Sequence, residues 1–415
     1  MAPQRINAQA APDVRADPGS SANSSSAVVP DPAGTDDSMD WLFPVTKLNR
    51  SLPSWFRIGG QYRGRLEGPM GIGFTSTNDL YFLDRLRVKL GIKPKEWLLF
   101  YGEVQDARIS FNHHLPNANP YQDKWTLWQA YSQVGSSETG WVDVLAGREV
   151  LRFGDERVIG PSEWLNVGRT FIVARVDLHH PGYEVSVLAS SVVPGDNNDL
   201  HNALRGNNLY GVYGSFQNIV PKADFEPYVL WRVAPASSEL SETLNRGRLD
   251  EVTIGLHWKG DLPAALDYDS EFDGQTGSIG ASSIAAWAGY ASVGKTFRKV
   301  AATPRAFLEG NYASGTKNPN GRNWNTFDEL CPSNHDKLGF ADQVGRRNLV
   351  QFRGGVEEEP TKKWKLKQQF ESYWLATSND NFYSLPMCRL APGWAGTAIA
   401  PLLARLQLSL RVLRI

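Results

Sequence analysis

The stretch "RLRVKLGIKPKEWLLFYGEVQ", Arg85 to Gln105, carries the reading of the fold. In its first half Leu86, Val88, Leu90 and Ile92 oppose Arg85, Arg87, Lys89 and Lys93; in its second Leu98, Phe100, Gly102 and Val104 oppose Tyr101, Glu103 and Gln105. A period of two is that of a β-strand, with one face apolar and the other charged. The "KPKE" between the halves, 93–96, is a tight turn, so the stretch reads as an antiparallel hairpin.

The same alternation extends outward. In "FRIGGQYRGRLEG", 56–68, the apolar face opposes Arg57, Gln61, Arg63, Arg65 and Glu67; in "EVTIGLHWK", 251–259, Val252, Ile254, Leu256 and Trp258 oppose Glu251, Thr253, His257 and Lys259. A soluble antiparallel sheet alternates in the same way. The connections discriminate. Short turns (93–96, 135–140, 179–182, around Pro221, 260–264 and "EEEPTKK" at 357–363, with a moderate one at 298–304) alternate with longer loops (68–79, 109–124, 149–169, 194–207, 235–247, the Gly-rich 274–282 and the very long 315–345). Short turns on one side and long loops on the other characterise a transmembrane β-barrel. Trp97, Trp141, Trp258 and Trp364 fall beside the short turns, where an aromatic girdle is expected. Fifteen strands can be counted by Ala376, and "RLQLSLRV", 405–412, reads as a sixteenth.

Bulk properties agree. A net charge of −1 over 415 residues excludes the basic field by which a protein recruits nucleic acid. Mean hydropathy is −0.37 and no run approaches a membrane helix, yet 14 Trp, 14 Tyr and 38 Gly suit a barrel that meets lipid. Residues 1–45, rich in Pro, Ser and Ala, read as a disordered leader with no recognisable signal peptide. Cys331 and Cys388 lack metal-ligand spacing and read as incidental thiols.

On a barrel the charged face lines the lumen. Arg63, Arg65, Arg85, Arg87 and Lys89 make a basic wall, and Asp267, Asp269, Glu271 and Asp273 an acidic one. Fixed charge inside a pore selects ions by field strength. The connection 149–169, which opens "EVLRFGDERVIGPSEW", carries Arg152, Arg157 and Arg169 beside Glu149, Asp155 and Glu156, and is long enough to fold inward and narrow the pore. Asp155 and Glu156 are adjacent on a loop and lack the facing geometry of a glycosidase pair, so no catalytic residue is assigned. His335, Asp336 and Asp342 match no ligand spacing, so no metal site or cofactor is expected and a hydrogen-bonded loop is the better reading. His113–His114 and His179–His180 read as solvated pairs in connections.

Several motifs resemble the alginate export domain family of bacterial outer-membrane proteins. They are "YGEVQDAR" (101–108), "LWQAY" (127–131), "AGREVLRFGDERVIGPSEWLNVGRTF" (146–171), "LDYDSEF" (266–272), "AWAGYASVGKTF" (286–297), "FLEGNYASGTKNPN" (307–320), "FDELCPSNHDKLGFAD" (327–342) and "SYWLATSNDNFYS" (372–384). The resemblance covers roughly Phe56 to Ser384 and implies an outer-membrane barrel of about 18 strands. It further implies that an acidic polyuronate crosses an Arg/Lys-lined constriction gated by in-folded loops. Carried onto matching positions, the lumen or constriction residues are Glu103, Gln105, Arg148, Arg152, Arg157 and Arg169. Guanidinium groups suit this task because they bind carboxylates bidentately and stay charged.

The expectation is therefore an all-β transmembrane barrel over 46–384. Residues 385–415 no longer resemble the family and read as a truncated or frame-shifted end. The leading function is export of an anionic, alginate-like polysaccharide across the outer membrane by a non-enzymatic, monomeric porin, with periplasmic export proteins as partners. A diffusion porin for small anionic solutes is the alternative. A soluble all-β carbohydrate-binding protein is the third reading.

Overall fold

The hairpin at 85–105 forms: β2 (Tyr81–Lys95) pairs antiparallel with β3 (Leu98–Ser110), Arg87 opposite Gln105 and Lys89 opposite Glu103. The computed structural model describes residues 44–72, 75–138, 140–193, 206–217, 219–236, 247–361, 364–383 and 403–411. Within them a short helix, α1 (Pro44–Ser51), precedes β1 (Phe56–Glu67). The sheet continues through β4 (Asp123–Gly135), β5 (Val142–Glu149), β6 (Thr170–His180), β7 (Tyr183–Val193), β8 (Asn208–Gln217), β9 (Ala223–Ala234) and β10 (Leu249–Leu262). It is completed by β11 (Leu266–Ile279), β12 (Ser282–Thr296), β13 (Arg305–Ala313), the two-residue β14 (Asn323–Trp324), β15 (Leu349–Thr361), β16 (Trp364–Leu375) and β17 (Leu403–Arg411). Apart from β14, which lies parallel to β12, each strand pairs antiparallel with the next in sequence.

Side-chain exposure decides between a soluble sheet and a membrane barrel. Arg85, Arg87, Glu103 and Gln105 are 0–5% exposed, whereas Val88, Phe100 and Val104, between them on the other face, are 40–44% exposed. A soluble protein would bury the second set and hydrate the first. Here polarity is inverted, as lipid outside and a polar interior require, and the soluble carbohydrate-binding reading fails. Ile172, Val212, Val229, Ile254, Phe272, Leu308 and Phe352 continue the apolar outer face. Trp97, Trp141, Trp258 and Trp364 are 39–71% exposed at the short-turn end, in the position of an aromatic girdle.

Three local expectations are corrected. The Gly-rich 274–282 is not a loop: β11 runs to Ile279 and reverses in two residues through Gly280, whose φ of 57° is open to glycine without strain. The acidic 357–359 lies within β15, where Glu357 is drawn into pairs with Arg305 and Lys367. His179 and His180 end β6, and His179 turns towards Asp143 at 3.3 Å, because the strand outlasts the apolar pattern that marked it.

Sixteen long strands lie among the described residues, where the family resemblance implied about 18. Residues 1–43, 384–402 and 412–415, on which most of the leader and terminal readings fall, lie outside them. Among the described residues β1 pairs with β2 alone and β17 with β16 alone. The Asn49 side chain of α1 donates to Ile58 O (2.7 Å) and accepts from Ile58 N (2.9 Å), occupying one backbone pair on the edge of β1.

Candidate functional site

The interior is built by two long loops, 150–169 and 314–348. The first carries Leu151, Phe153, Val158 and Ile159, which an exposed loop would leave in water at a cost of roughly 1.5–3 kcal/mol each. They pack instead against Tyr101, Tyr131, Leu145, Phe171, Leu188, Leu209 and Tyr213 of the inner wall. From the second loop Phe327, Leu338 and Val344 bury against Ala286, Ala288, Ala313 and Leu349. A short parallel bridge joins the loops: Gly160 N donates to Cys331 O (2.8 Å), Cys331 N to Val158 O (2.9 Å) and Ser333 N to Glu156 O (2.8 Å). Cys331, read from spacing as an incidental thiol, is disulfide-bonded. Pairing depends on spatial approach, which spacing does not report.

Charge matches each loop to a wall. The tip of the first loop, Ser162–Asn166, lies on β1 and β2. Arg87 Nη1 donates to both Glu163 carboxylate oxygens (2.9 and 3.1 Å), and Arg85 Nη2 stands 3.2 Å from Oε2. Arg63 donates to the carbonyls of Glu163 (2.8 Å) and Leu165 (2.9 Å), and Arg65 to that of Trp164 (2.6 Å). Arg65 also lies 4.0 Å over the Trp164 ring, whose other contact is His335 of the second loop, stacked at 3.8 Å. Burial pushes the Glu163 carboxyl up, but Arg87 and Arg85 outweigh it and hold it at about 2.

On the opposite side Arg157 crosses from the first loop to β13. It donates to Glu309 (2.9 Å) and Asn311 (2.9 Å), also to Asp155 (2.9 Å), and lies 3.6 Å over Tyr290. The acidic face of β11 receives Arg346 of the second loop, 3.2 Å from Glu271 and 3.0 Å from Asp273. Inside that loop Glu329 is fully buried, and burial pushes its carboxyl up to about 7 despite nearby Arg347.

The remaining candidates fall into the same frame. Glu103 accepts from Tyr101 (2.9 Å) and Gln129 (2.8 Å); Gln105 accepts from Arg87 (2.7 Å) and donates to Val167 O (3.1 Å). Arg148 donates to Thr170 (2.9 Å). Arg152 pairs with Glu156 (2.8 Å) and reaches to 3.7 Å from Glu163, with 43% of its side chain exposed. Arg169 donates to Gly160 O (2.8 Å) and Pro332 O (3.1 Å), and burial lowers its guanidinium to about 10. Lys89 is half-buried on the inner face. The arginines of this set thus converge on one interior but are largely engaged in tying loops to wall.

Asp155 and Glu156 point to different partners, Arg157 and Arg152. His335 pairs with Asp342 (2.8 Å), and His113 N and His114 N donate to Asp79. No group of three or more potential metal ligands occurs among the described residues. Sequence reasoning missed Glu163, Trp164, Glu309 and Arg346. Their signal was present in part: Glu163 and Trp164 sit in "PSEW", and a Glu–Trp pair in a loop already rich in buried-type residues marks a docking tip.

No helix among the described residues is long and apolar enough to cross a membrane. No curated protein matches the chain. Among solved structures it is similar to OprB of Pseudomonas putida (11% identity, TM-score 0.50, covering 80% of this chain and 92% of that one). It is also similar to OpdO of Pseudomonas aeruginosa (11%, 0.53, 80% and 85%) and to OccK2 of the same organism (8%, 0.51, 78% and 82%). At such identities these likenesses speak for the barrel fold. The alginate export family matches residues 54–401, nearly the whole barrel and both in-folded loops, and this chain is therefore an outer-membrane β-barrel of the alginate export family.

Proposed function

We propose that this porin passes an anionic polyuronate of the alginate type along the inner face of β1 and β2. The observation that carries the reading is the gathering of Arg63, Arg65, Arg85 and Arg87 on one wall, with Arg152 reaching the same place, around the loop carboxylate Glu163. A polyuronate bears one carboxylate per sugar, and planar guanidinium forks hold such groups without titrating. Lys89, Glu103, Gln105, Arg148, Arg157 and Arg169 shape and brace that path. Transport is passive, the protein works as a monomer that delivers to or receives from periplasmic export proteins, and no cofactor takes part.

A second reading, a diffusion porin for small anionic solutes, is favoured by the two loops that pack into the interior, since a short solute needs less of that packing to yield. The experiment is single-channel recording in planar bilayers under a salt gradient, with oligouronates, a neutral oligosaccharide of equal length and a uronate monomer added in turn. Anion selectivity with block by the oligouronate alone supports the polymer; equal block by the monomer supports the small solute. Cation selectivity with no block refutes both.

A further inference from the structure

The contacts of Glu163 are those a substrate would make. Its carboxylate takes a two-oxygen contact from Arg87, a further one from Arg85 at 3.2 Å, and has Arg152 at 3.7 Å. The groups flanking it are neutral acceptors: the carbonyls of Glu163, Trp164 and Leu165 receive Arg63, Arg65 and Arg85. Without Glu163, Arg85 keeps, among the described residues, Gln61 and carbonyl oxygens, and the nearest carboxylate left to Arg87 among them is Glu103 at 3.8 Å. Arg65 is matched by Glu67 (2.8 Å) and Arg152 by Glu156 (2.8 Å), but Arg63, Arg85 and Arg87 carry more positive charge than Glu103, 3.8 Å from Arg87, offsets among the described residues of the wall, and the loop tip completes it. Charge-assisted bonds are about twice as strong as those to neutral carbonyls, so an arriving carboxylate has something to gain.

Access and release are also provided for. The Glu163 side chain is 31% exposed, so solutes in the interior can reach its site. The tip lies outside the loop's apolar anchor of Leu151, Phe153, Val158 and Ile159 and is held at its ends by polar contacts, Ser162 donating to Ser333 Oγ and Pro332 O (both 2.8 Å) and Asn166 to the carbonyls of Asp84, Arg108 and Tyr121 (2.8–3.1 Å). Gly160 precedes the tip, and Gly168 follows it with a φ of 73° that favours glycine. Trp164 adds a flat ring between Arg65 and His335, so the tip presents a carboxylate beside a flat face, as a uronate residue does.

We propose that Arg85, Arg87 and Arg152 form a uronate carboxylate site which, in the resting protein, is filled by the chain's own Glu163. This rests on the polyuronate reading above. A substrate carboxylate enters by displacing Glu163, and binding is thereby coupled to release of the tip, so that the pore is opened by the solute it carries.

The test uses the full chain in detergent micelles, with binding of an oligomannuronate hexamer measured by titration calorimetry for wild type, Glu163→Gln, and Glu163→Gln combined with Arg87→Gln. Folding of each is checked by near-UV circular dichroism. Removing the internal competitor should tighten hexamer binding at least tenfold, leave a neutral mannose hexamer unbound, and raise single-channel conductance; Arg87→Gln should abolish the gain. Monomeric mannuronate in the same titrations separates a single-carboxylate site from one that needs the polymer. Wild-type binding with no tightening in Glu163→Gln overturns the inference and leaves the polyuronate reading standing. Absence of hexamer binding in every variant overturns the reading itself. Should Glu163→Gln fail to fold, Glu163→Asp, which keeps the charge but withdraws it by one methylene, should tighten binding by a smaller factor, and an unchanged affinity there is equally fatal.

Discussion

Arg157→Ala tests whether the first loop is held inside the barrel by charge as well as by apolar packing. The Arg157 side chain is 2% exposed and makes three hydrogen bonds of 2.9 Å, to Asp155, Glu309 and Asn311, with Tyr290 beneath it at 3.6 Å. Removing one member of a buried pair costs about 3–5 kcal/mol, because the remaining charge is left uncompensated. Glu309 keeps Arg353 at 2.6 Å and Asn311 at 2.8 Å, which points to the lower end, about 3 kcal/mol. At 1.4 kcal/mol per decade this is on the order of a 100-fold rise in the population of the opened loop. Hydrogen exchange reads it directly. The amides of Phe153, Glu156 and Gly160 are bonded within the loop or across to Cys331, and should exchange about 100-fold faster in the variant while β6 and β7 amides hold. Single-channel records should show more frequent large openings. Unchanged loop exchange would refute the reasoning, and the apolar cluster would then be the whole of the anchor.

Two loop carboxylates, the half-buried Glu163 and the buried Glu329, give stability opposite pH slopes. Glu163 is held at about 2, below the ordinary value near 4.3, so its contribution is complete above that value and lost as pH falls towards 2. Glu329 is raised to about 7, so its contribution is complete below about 4.3 and lost as pH rises through 7. The melting temperature in detergent should therefore rise on acidification from about pH 8 to 5 and fall below about pH 3. Glu329→Gln should flatten the first limb and Glu163→Gln the second, and a wild-type profile flat at both ends contradicts the assignment. On the outer face, Leu308 is 68% exposed in the middle of β13 while its neighbour Glu309 is 5% exposed. Leu308→Arg should cost about 2–4 kcal/mol in equilibrium folding into lipid vesicles. A change within 0.5 kcal/mol, roughly the scatter of ordinary surface substitutions, would mean that this face does not meet hydrocarbon.

The alternation at 85–105 determined that hairpin and which of its side chains share a face, because a period of two is local, and the same pattern placed the other strands but misjudged the ends of β6, β11 and β15. Fifteen strands were countable before Ala376. What alternation leaves open is which face is wet, and only exposure in the folded barrel showed the arginines inside and the aliphatics outside. The candidate site was legible in composition and not in arrangement. Arg63, Arg65, Arg85 and Arg87 were visible as a basic wall, but their partner Glu163 lies about a hundred residues from Arg63 in sequence, in a loop whose tip has no periodicity to betray its direction. The same is true of Arg157 with Glu309 and of Arg346 with Asp273. Such pairs are made by closure of the chain over long separations, and long-range proximity is a property that only the tertiary structure possesses.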